Sequence, residues 1–424
     1  MLRARRLRKA ARRATADHRS QRALTFLRRA MRCCPQTLAA TAMQAAEILR
    51  QDAAAPLDLR AAESLYRIVV RRAGGASALG TRAREQLALL ACQRRAEARA
   101  TRLLEEARYQ YRLSPEILSY PLQPVPRTRA LSAPLPAGYA HVVDGVLPAG
   151  MLRALQAAFA PQSAFWSEHR YRCGKSPFFS YVHSLAEPPR TGMDRVLALL
   201  HRQAAAAFPR AAHCTQAEWW AHCRPHGTGH QLHYDSDDEG RGGVRNPAVS
   251  SALYLSDGVG GPTLVTNQKI GATRLATHGW AALPRTNRVL LFDGTYLHGV
   301  IPGRGVADAA AAPRRISLMV AFWPSIRERS AKRPGAARPF PYADAARAPT
   351  GDGAAAVTAG APRWPSLFDW PAEDDGTPAA PPVDASAALR YVAPVWTPIG
   401  ERRPAAELVG PRMPAYDACY QGLS

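Results

Sequence analysis

From Gln231 to Phe322 the chain is a run of short β-prone stretches broken by Gly, Pro and Asn, and that rhythm restricts the fold more than any other feature. The stretches are Gln231–Asp235, Ser250–Leu255, Thr263–Thr266, Arg288–Phe292 and Arg315–Phe322. Each is too short for an ordinary helix, and the turn residues between them prevent merger. Short strands at such spacing predict an all-β sandwich or barrel. Just upstream, Ala140–Val143 and residues 176–184 read as strands, and Pro148–Phe159 and Met193–Phe208 as helices. In the first of these helices Leu152, Leu155 and Phe159 share the inward face.

The N-terminal part has a different period. From about Gln36 to Leu113, apolar residues recur every three or four positions, as on one face of a helix. Leu65, Ile68 and Val69 make one face, Leu87, Leu90 and Ala91 a second, and Ala96, Ala100, Leu103, Leu104 and Ala107 a longer third. Residues 87–98 followed by 103–107 resemble a degenerate tetratricopeptide hairpin, with a small helical bundle as the plain alternative. Prolines at 115, 121, 124, 126 and 134 mark a linker. Beyond Ile326 Pro, Ala and Gly dominate, which predicts a partly disordered tail whose aromatics Trp364, Phe368, Trp370, Tyr391 and Trp396 anchor on the β region. The expected organisation is a basic segment over 1–20, a helical region over 21–118, a β domain over 135–325 and a tail over 326–424.

Charge is unevenly spread along these regions. The net charge is +23, and residues 1–113 hold 25 Lys and Arg against 9 Asp and Glu, leaving +16 there. Such a field attracts nucleic acid or another acidic partner; an Arg- and Ala-rich compositional bias explains it equally well. Seven cysteines show neither a paired framework nor zinc-ligand spacing, which favours a reducing compartment. No apolar run reaches the roughly 18 residues of a membrane span. Cytoplasm or nucleus is therefore the expectation. Residues 1–16 carry many arginines and no acid, so organellar import through the N-terminus is the alternative.

The chemistry is concentrated in His233-Tyr234-Asp235 and, much later, His298 and Arg315. On a strand, residues i and i+2 share a face, so His233 and Asp235 can reach one ion. A histidine from another strand completes two imidazoles and one carboxylate, a set that leaves positions open and suits non-haem Fe(II).

Around these residues the sequence resembles the prolyl 4-hydroxylase-like 2-oxoglutarate/Fe(II)-dependent dioxygenases. Gly227-Thr228-Gly229-His230-Gln231-Leu232-His233-Tyr234-Asp235 is similar to the family's first metal-binding strand. Ala252-Leu253-Tyr254-Leu255-Ser256-Asp257 and Gly260-Gly261-Pro262-Thr263-Leu264 follow, similar to its Tyr-Leu-Asn-Asp and Gly-Gly-x-Thr segments. Arg288–Asp293, His298-Gly299-Val300-Ile301-Pro302 and Arg315-Ile316-Ser317-Leu318 complete the ordered pattern across about residues 138–325.

The resemblance implies an α+β chain whose C-terminal half is a double-stranded β-helix (jelly roll) with flanking helices, behind an α-helical region. It implies Fe(II) held by His233, Asp235 and His298, with 2-oxoglutarate chelating the metal and its far carboxylate on Arg315. A guanidinium suits that role because it binds a carboxylate bidentately. Tyr254 and Ser317 fall where the family places further contacts to that group. The implied reaction consumes O₂ and 2-oxoglutarate and hydroxylates a C–H bond, with a prolyl residue of a peptide or protein as the substrate class and ascorbate as reductant. No catalytic residue beyond these metal and cosubstrate ligands is implied.

Some positions depart from the pattern. The basic residue usually follows the distal histidine by about ten positions, whereas Arg315 lies 17 beyond His298, an excess that a loop insertion over Val306–Ala312 explains. Arg304, in a Gly/Pro turn, is the rival, and Arg314 points the other way from Arg315 if the strand includes both. Cys223 stands where some relatives carry a cosubstrate-contacting tyrosine, so that contact is expected to be missing. His222, His226 and His230 read as loop residues or as residues that support the ligands. Thr263 serves strand packing, Trp219 and Trp220 core packing, and Gly260 and Gly261 a turn or bulge. The alternative to an enzyme is a non-catalytic basic adaptor with a degenerate jelly roll.

Overall fold

The computed structural model describes residues 1–17, 19–122, 139–171, 178–237, 244–272, 274–307, 314–328, 336–342, 363–370, 382–400 and 419–422. Helices come first: α1 (Leu2–Ala16), α2 (Ser20–Cys33), α3 (Leu38–Gln51), α4 (Pro56–Ala73), α5 (Ala78–Gln93) and α6 (Glu97–Glu106). Each packs against the next along the chain. The buried faces are those of the periodic pattern, with Val69, Leu87, Leu90, Ala100 and Leu104 all inside. Ser77 caps α5 by accepting from the Gly80 amide at 3.1 Å. No described helix is long and apolar enough to cross a membrane.

The helical reading of the segment up to Leu113 is corrected at its end. Helix α6 stops at Glu106, Arg108 takes a left-handed φ of 65°, and β1 (Tyr111–Leu113) follows. Local periodicity could not show this, because the partners of β1 lie far away in the tail. A short helix α7 (Pro115–Leu118) comes next, and then β2 (Ala140–Asp144), α8 (Ala149–Ala158), α9 (Ala164–Glu168), β3 (Tyr181–Ser184) and α10 (Gly192–Ala207). Thr191 and Asp194 cap α10 reciprocally: the Thr191 amide donates to Asp194 Oδ2 at 2.7 Å and the Asp194 amide to Thr191 Oγ1 at 3.3 Å.

The strands that build the main body are β4 (Gln216–Arg224), β5 (His230–His233), β6 (Val249–Tyr254), β7 (Thr263–Lys269), β8 (Gly279–Ala282), β9 (Arg288–Asp293), β10 (Tyr296–Val300) and β11 (Arg315–Trp323). From the tail come β12 (Arg338–Pro339), β13 (Val383–Asp384), β14 (Arg390–Val392), β15 (Trp396–Pro398) and β16 (Cys419–Tyr420). The larger sheet runs β12-β3-β4-β11-β6-β9-β2-β13, the second β14-β8-β7-β10-β5, and a small one β15-β1-β16. Strands β4, β8 and β10 were not expected from the sequence.

The two main sheets face each other across a shared core. Tyr139, Val142, Ala252, Leu290 and Phe292 from the larger sheet's side meet Val265, Trp280 and Ala282 from the smaller. The outer face of the larger sheet is covered by α8, α9 and α10 through Leu155, Phe165, Met193 and Leu197. Trp364 and Phe368 of the tail join that cluster, and Trp396 joins another with Leu104, Ile117 and Leu264. Much of the tail expectation lies outside the described residues, as do 123–138 of the linker and 308–312 of the Ala-rich stretch.

Candidate metal and anion site

The two histidines of the pattern end up side by side because their strands pair. In the antiparallel β5–β10 ladder His233 is the direct partner of His298, and their ring centroids lie 4.3 Å apart. The chain leaves β5 at His233, so Asp235 sits two residues beyond the strand end rather than on it, which corrects the expected span. Its carboxylate nevertheless reaches both rings: Oδ1 is 3.6 Å from His233 Nε2 and Oδ2 is 3.6 Å from His298 Nε2. One ligand atom from each of the three residues falls within 4.8 Å of the other two. Ser250, on the facing sheet, fixes the carboxylate by donating its hydroxyl to Oδ2 at 2.7 Å, and Asn246 Nδ2 holds the Asp235 carbonyl at 2.6 Å.

Backbone carbonyls set the tautomer of each ring. His233 Nδ1 lies 2.8 Å from the Gln231 carbonyl and His298 Nδ1 lies 3.0 Å from the Tyr296 carbonyl. A carbonyl only accepts, so both Nδ1 atoms carry the proton and both Nε2 lone pairs face the carboxylate. His298 Nε2 is buried and has no hydrogen-bond partner among the described residues. Burial opposes the ionised form of Asp235, yet the neighbouring His298 and His233 and the Ser250 hydroxyl hold its carboxyl well below the usual range. Burial pushes His298 down to about 4. For His233 burial also acts downward, but Asp235 and the carbonyl contacts outweigh it and raise it.

Arg315, the first residue of β11, lies near enough to His230 and His222 for its charge to act on both. It is buried, its Nη1 has no hydrogen-bond partner among the described residues, and burial lowers it to about 10. Gly260 makes room for it: at φ 86° no other residue fits well, and a Cβ there would stand 2.7 Å from Arg315 Cδ. Ser317 and Tyr254 are direct partners in the β11–β6 ladder, so both share the Arg315 face. The Tyr254 hydroxyl donates to Thr263 Oγ1 at 2.7 Å, which ties the two sheets together beside the arginine.

Arg304, the rival, is spoken for elsewhere. Its Nε donates to the Gln93 carbonyl at 2.8 Å and its Nη1 to the carbonyls of Tyr120 at 2.8 Å and Ser119 at 3.2 Å. Arg314 turns the opposite way and lies 3.5 Å from Asp52. Cys223 is buried on the helix-covered side of β4, and its amide donates to the Tyr171 hydroxyl at 3.3 Å.

The three further histidines, expected in a loop or in support of the ligands, surround the cluster. His222 and His230 lie on β4 and β5, not in a loop. His230 stacks on His233 at 4.5 Å, and burial takes it down to about 3. Half-buried His222, the partner of Ser317 in the β11–β4 ladder, is held far below its ordinary value chiefly by desolvation. His226 lies in the turn, accepting at Nδ1 from the Gly260 amide at 3.1 Å. The signal that was available is the alternation of β4 itself. Ala217, Trp219, Ala221 and Cys223 form one apolar face, and Glu218, Trp220, His222 and Arg224 form the other.

Fold and site together define a two-sheet protein in which two histidines and one carboxylate converge near an unpaired buried arginine. No family model and no curated protein matches the chain. Solved structures do. A prolyl-4-hydroxylase from Pseudomonas putida is 20% identical, with 45% of this chain and 94% of that one covered and a TM-score of 0.30. The non-haem α-ketoglutarate-dependent carbocyclase SnoK from nogalamycin biosynthesis is 12% identical, with 49% and 90% covered and a TM-score of 0.31. HygX from Streptomyces hygroscopicus, with nickel and 2-oxoglutarate bound, is 15% identical, with 47% and 91% covered and a TM-score of 0.27. At scores of this size the functional reading rests on the residues themselves.

Proposed function

We propose that the protein is a 2-oxoglutarate- and Fe(II)-dependent dioxygenase that hydroxylates a C–H bond and converts 2-oxoglutarate to succinate. One observation carries the reading. Two buried polar atoms, His298 Nε2 and Arg315 Nη1, have no hydrogen-bond partner among the described residues, and buried groups of this kind are costly unless a ligand satisfies them. A cation suits the first and its two neighbouring ligand atoms; a carboxylate suits the second. His233, Asp235 and His298 would hold Fe(II), which when bound supplies the activation of O₂. Arg315 would hold the far carboxylate of 2-oxoglutarate, with Ser317 on the same face as a supporting donor and Tyr254 beside it, free to donate only if its hydroxyl turns from Thr263. Ser250 and the two carbonyls keep the ligand atoms aimed.

The two facing sheets support a double-stranded β-helix, and the consecutively packed helices support a repeat-like region of tetratricopeptide type. A prolyl residue in a peptide or protein is the proposed substrate, with ascorbate as reductant. The test is succinate release from 2-oxoglutarate under air with Fe(II) and ascorbate, with and without proline-containing peptides. Failure of iron-dependent turnover across varied peptide and protein substrates would sink the enzymatic reading and favour the non-catalytic adaptor, which also predicts little iron binding.

The partner reading has its own support. Arg3, Arg5, Arg6, Lys9, Arg12, Arg13, Arg19, Arg22, Arg28, Arg29 and Arg32 on and beside α1 and α2 are exposed, and none pairs with a carboxylate among the described residues. This face fits a polyanion such as nucleic acid.

A further inference from the structure

The arginine of the anion site is not alone. In the antiparallel β4–β11 ladder Arg224 is the direct partner of Arg315, and the next partners on the same face are His222 and Ser317. Directly opposed residues of such a ladder have their Cβ atoms about 5 Å apart and project to one side of the sheet. That side is the interior: the alternate residues Cys223 and Ile316 belong to the helix-covered core behind the sheet. Arg224 is half-buried, and its charge lies near enough to act against protonation of Arg315, His222 and His230 alike. Its Cζ lies 5.9 Å from the centroid of the Tyr171 ring.

Among the described residues no carboxylate and no hydrogen-bond acceptor pairs with Arg224, and none with Arg315 Nη1. The acid that shares this face of β4 is Glu218, six residues back, about 20 Å along an extended strand. Like charges opposed across a ladder are unfavourable, and more so where burial removes water. Two guanidiniums without a counter-ion suit a carboxylate brought in by a ligand.

We propose that Arg224 is a second cosubstrate-binding and specificity-determining residue. The far carboxylate of the 2-oxo acid lies between two guanidiniums, Arg315 and Arg224, and this pair selects a dianionic 2-oxo acid over a monoanionic one. The proposal rests on the dioxygenase reading above, and its test separates the two.

Full-length protein loaded with Ni(II) is titrated by calorimetry with 2-oxoglutarate and with 2-oxopentanoate, which has the same chain but lacks the far carboxylate. Wild type, Arg224→Met, Arg224→Lys and, as the reference, Arg315→Met are compared. Arg224→Met is expected to weaken 2-oxoglutarate binding by about 10- to 100-fold, the value of a charge-assisted contact, and to leave 2-oxopentanoate within about threefold. Arg224→Lys is expected to recover part of the loss, and it carries the comparison alone if the methionine variant does not fold. Unchanged 2-oxoglutarate binding in Arg224→Met beside its loss in Arg315→Met overturns the proposal, as does an equal loss for both acids. Wild type that binds neither acid removes the dioxygenase reading itself, a result visible before any variant is made.

Discussion

At the scale of single residues, the site holds buried polar atoms with no hydrogen-bond partner among the described residues. Arg315 is buried with an unpartnered Nη1, so Arg315→Met should raise the melting temperature of the ligand-free protein while abolishing 2-oxoglutarate binding. A stabilisation of about 1–3 kcal/mol is expected; a lower melting temperature would mean that the guanidinium has a structural partner after all. Asp235→Ala should cut Ni(II) or Fe(II) affinity at least about 100-fold by calorimetry with far-UV circular dichroism unchanged, because two imidazoles alone make a poor site. Glu218 gives a separate pH signature. Burial raises it to about 7, against the help of the Ser180 hydroxyl at 2.5 Å, so the folded state holds a proton there that the unfolded chain releases near 4.5. The stability tied to that proton is complete below about pH 4.5 and lost as the pH rises through about 7. Glu218→Gln, which keeps an acceptor for Ser180, should therefore gain on wild type by a few kcal/mol between pH 4.5 and 8 in denaturant unfolding. A constant difference across that range would contradict the assignment.

Among the elements, the loops beside Arg315 are held by the helical region. Arg50 Nη1 donates to the Gly227 carbonyl at 2.5 Å, the Gly227 amide to the Gln51 carbonyl at 2.9 Å, and the Ala307 amide to the Ala53 carbonyl at 3.1 Å. Arg304 adds its three carbonyl contacts from the other side. The long step from His298 to Arg315 thus includes a docking segment. Arg304→Met should cost about 2–4 kcal/mol in chemical denaturation and leave 2-oxoglutarate affinity within about threefold, the reverse of Arg315→Met. The strand-like runs around His233, Tyr254 and Arg315 were legible because alternation and turn residues act locally. Strand β10 was not, since Tyr296–Val300 is short and its place is set by β5 and β7 on either side. β1 was hidden for the same reason.

For the whole molecule, helical region, sheets and tail share cores. Ala88, Leu89, Leu104, Ile117, Leu232, Leu264, Ile301 and Trp396 form one buried cluster drawn from all three. Removing residues 1–113 should therefore give insoluble or unfolded protein, so a role for the basic face has to be tested by neutralisation instead. Exchanging Arg5, Arg12, Arg22 and Arg29 for Gln should leave the melting temperature nearly unchanged, since all four are exposed. The slope of log affinity for DNA against log salt should fall by about 0.9 for each phosphate that the exchanged side chains no longer neutralise. An unchanged slope would leave the composition of α1 and α2 without a nucleic-acid role.

What the sequence determined by itself was the set of groups and their local frame. It supplied two histidines, an aspartate and a basic residue, on runs whose alternation and turn residues called for strands. Only the tertiary structure decided which arginine faces the interior, that Asp235 reaches both rings from beyond its strand, and that Arg224 stands opposite Arg315. These are consequences of register between strands far apart in the chain, and a register is settled by burial on both faces of a sheet rather than by any window of sequence.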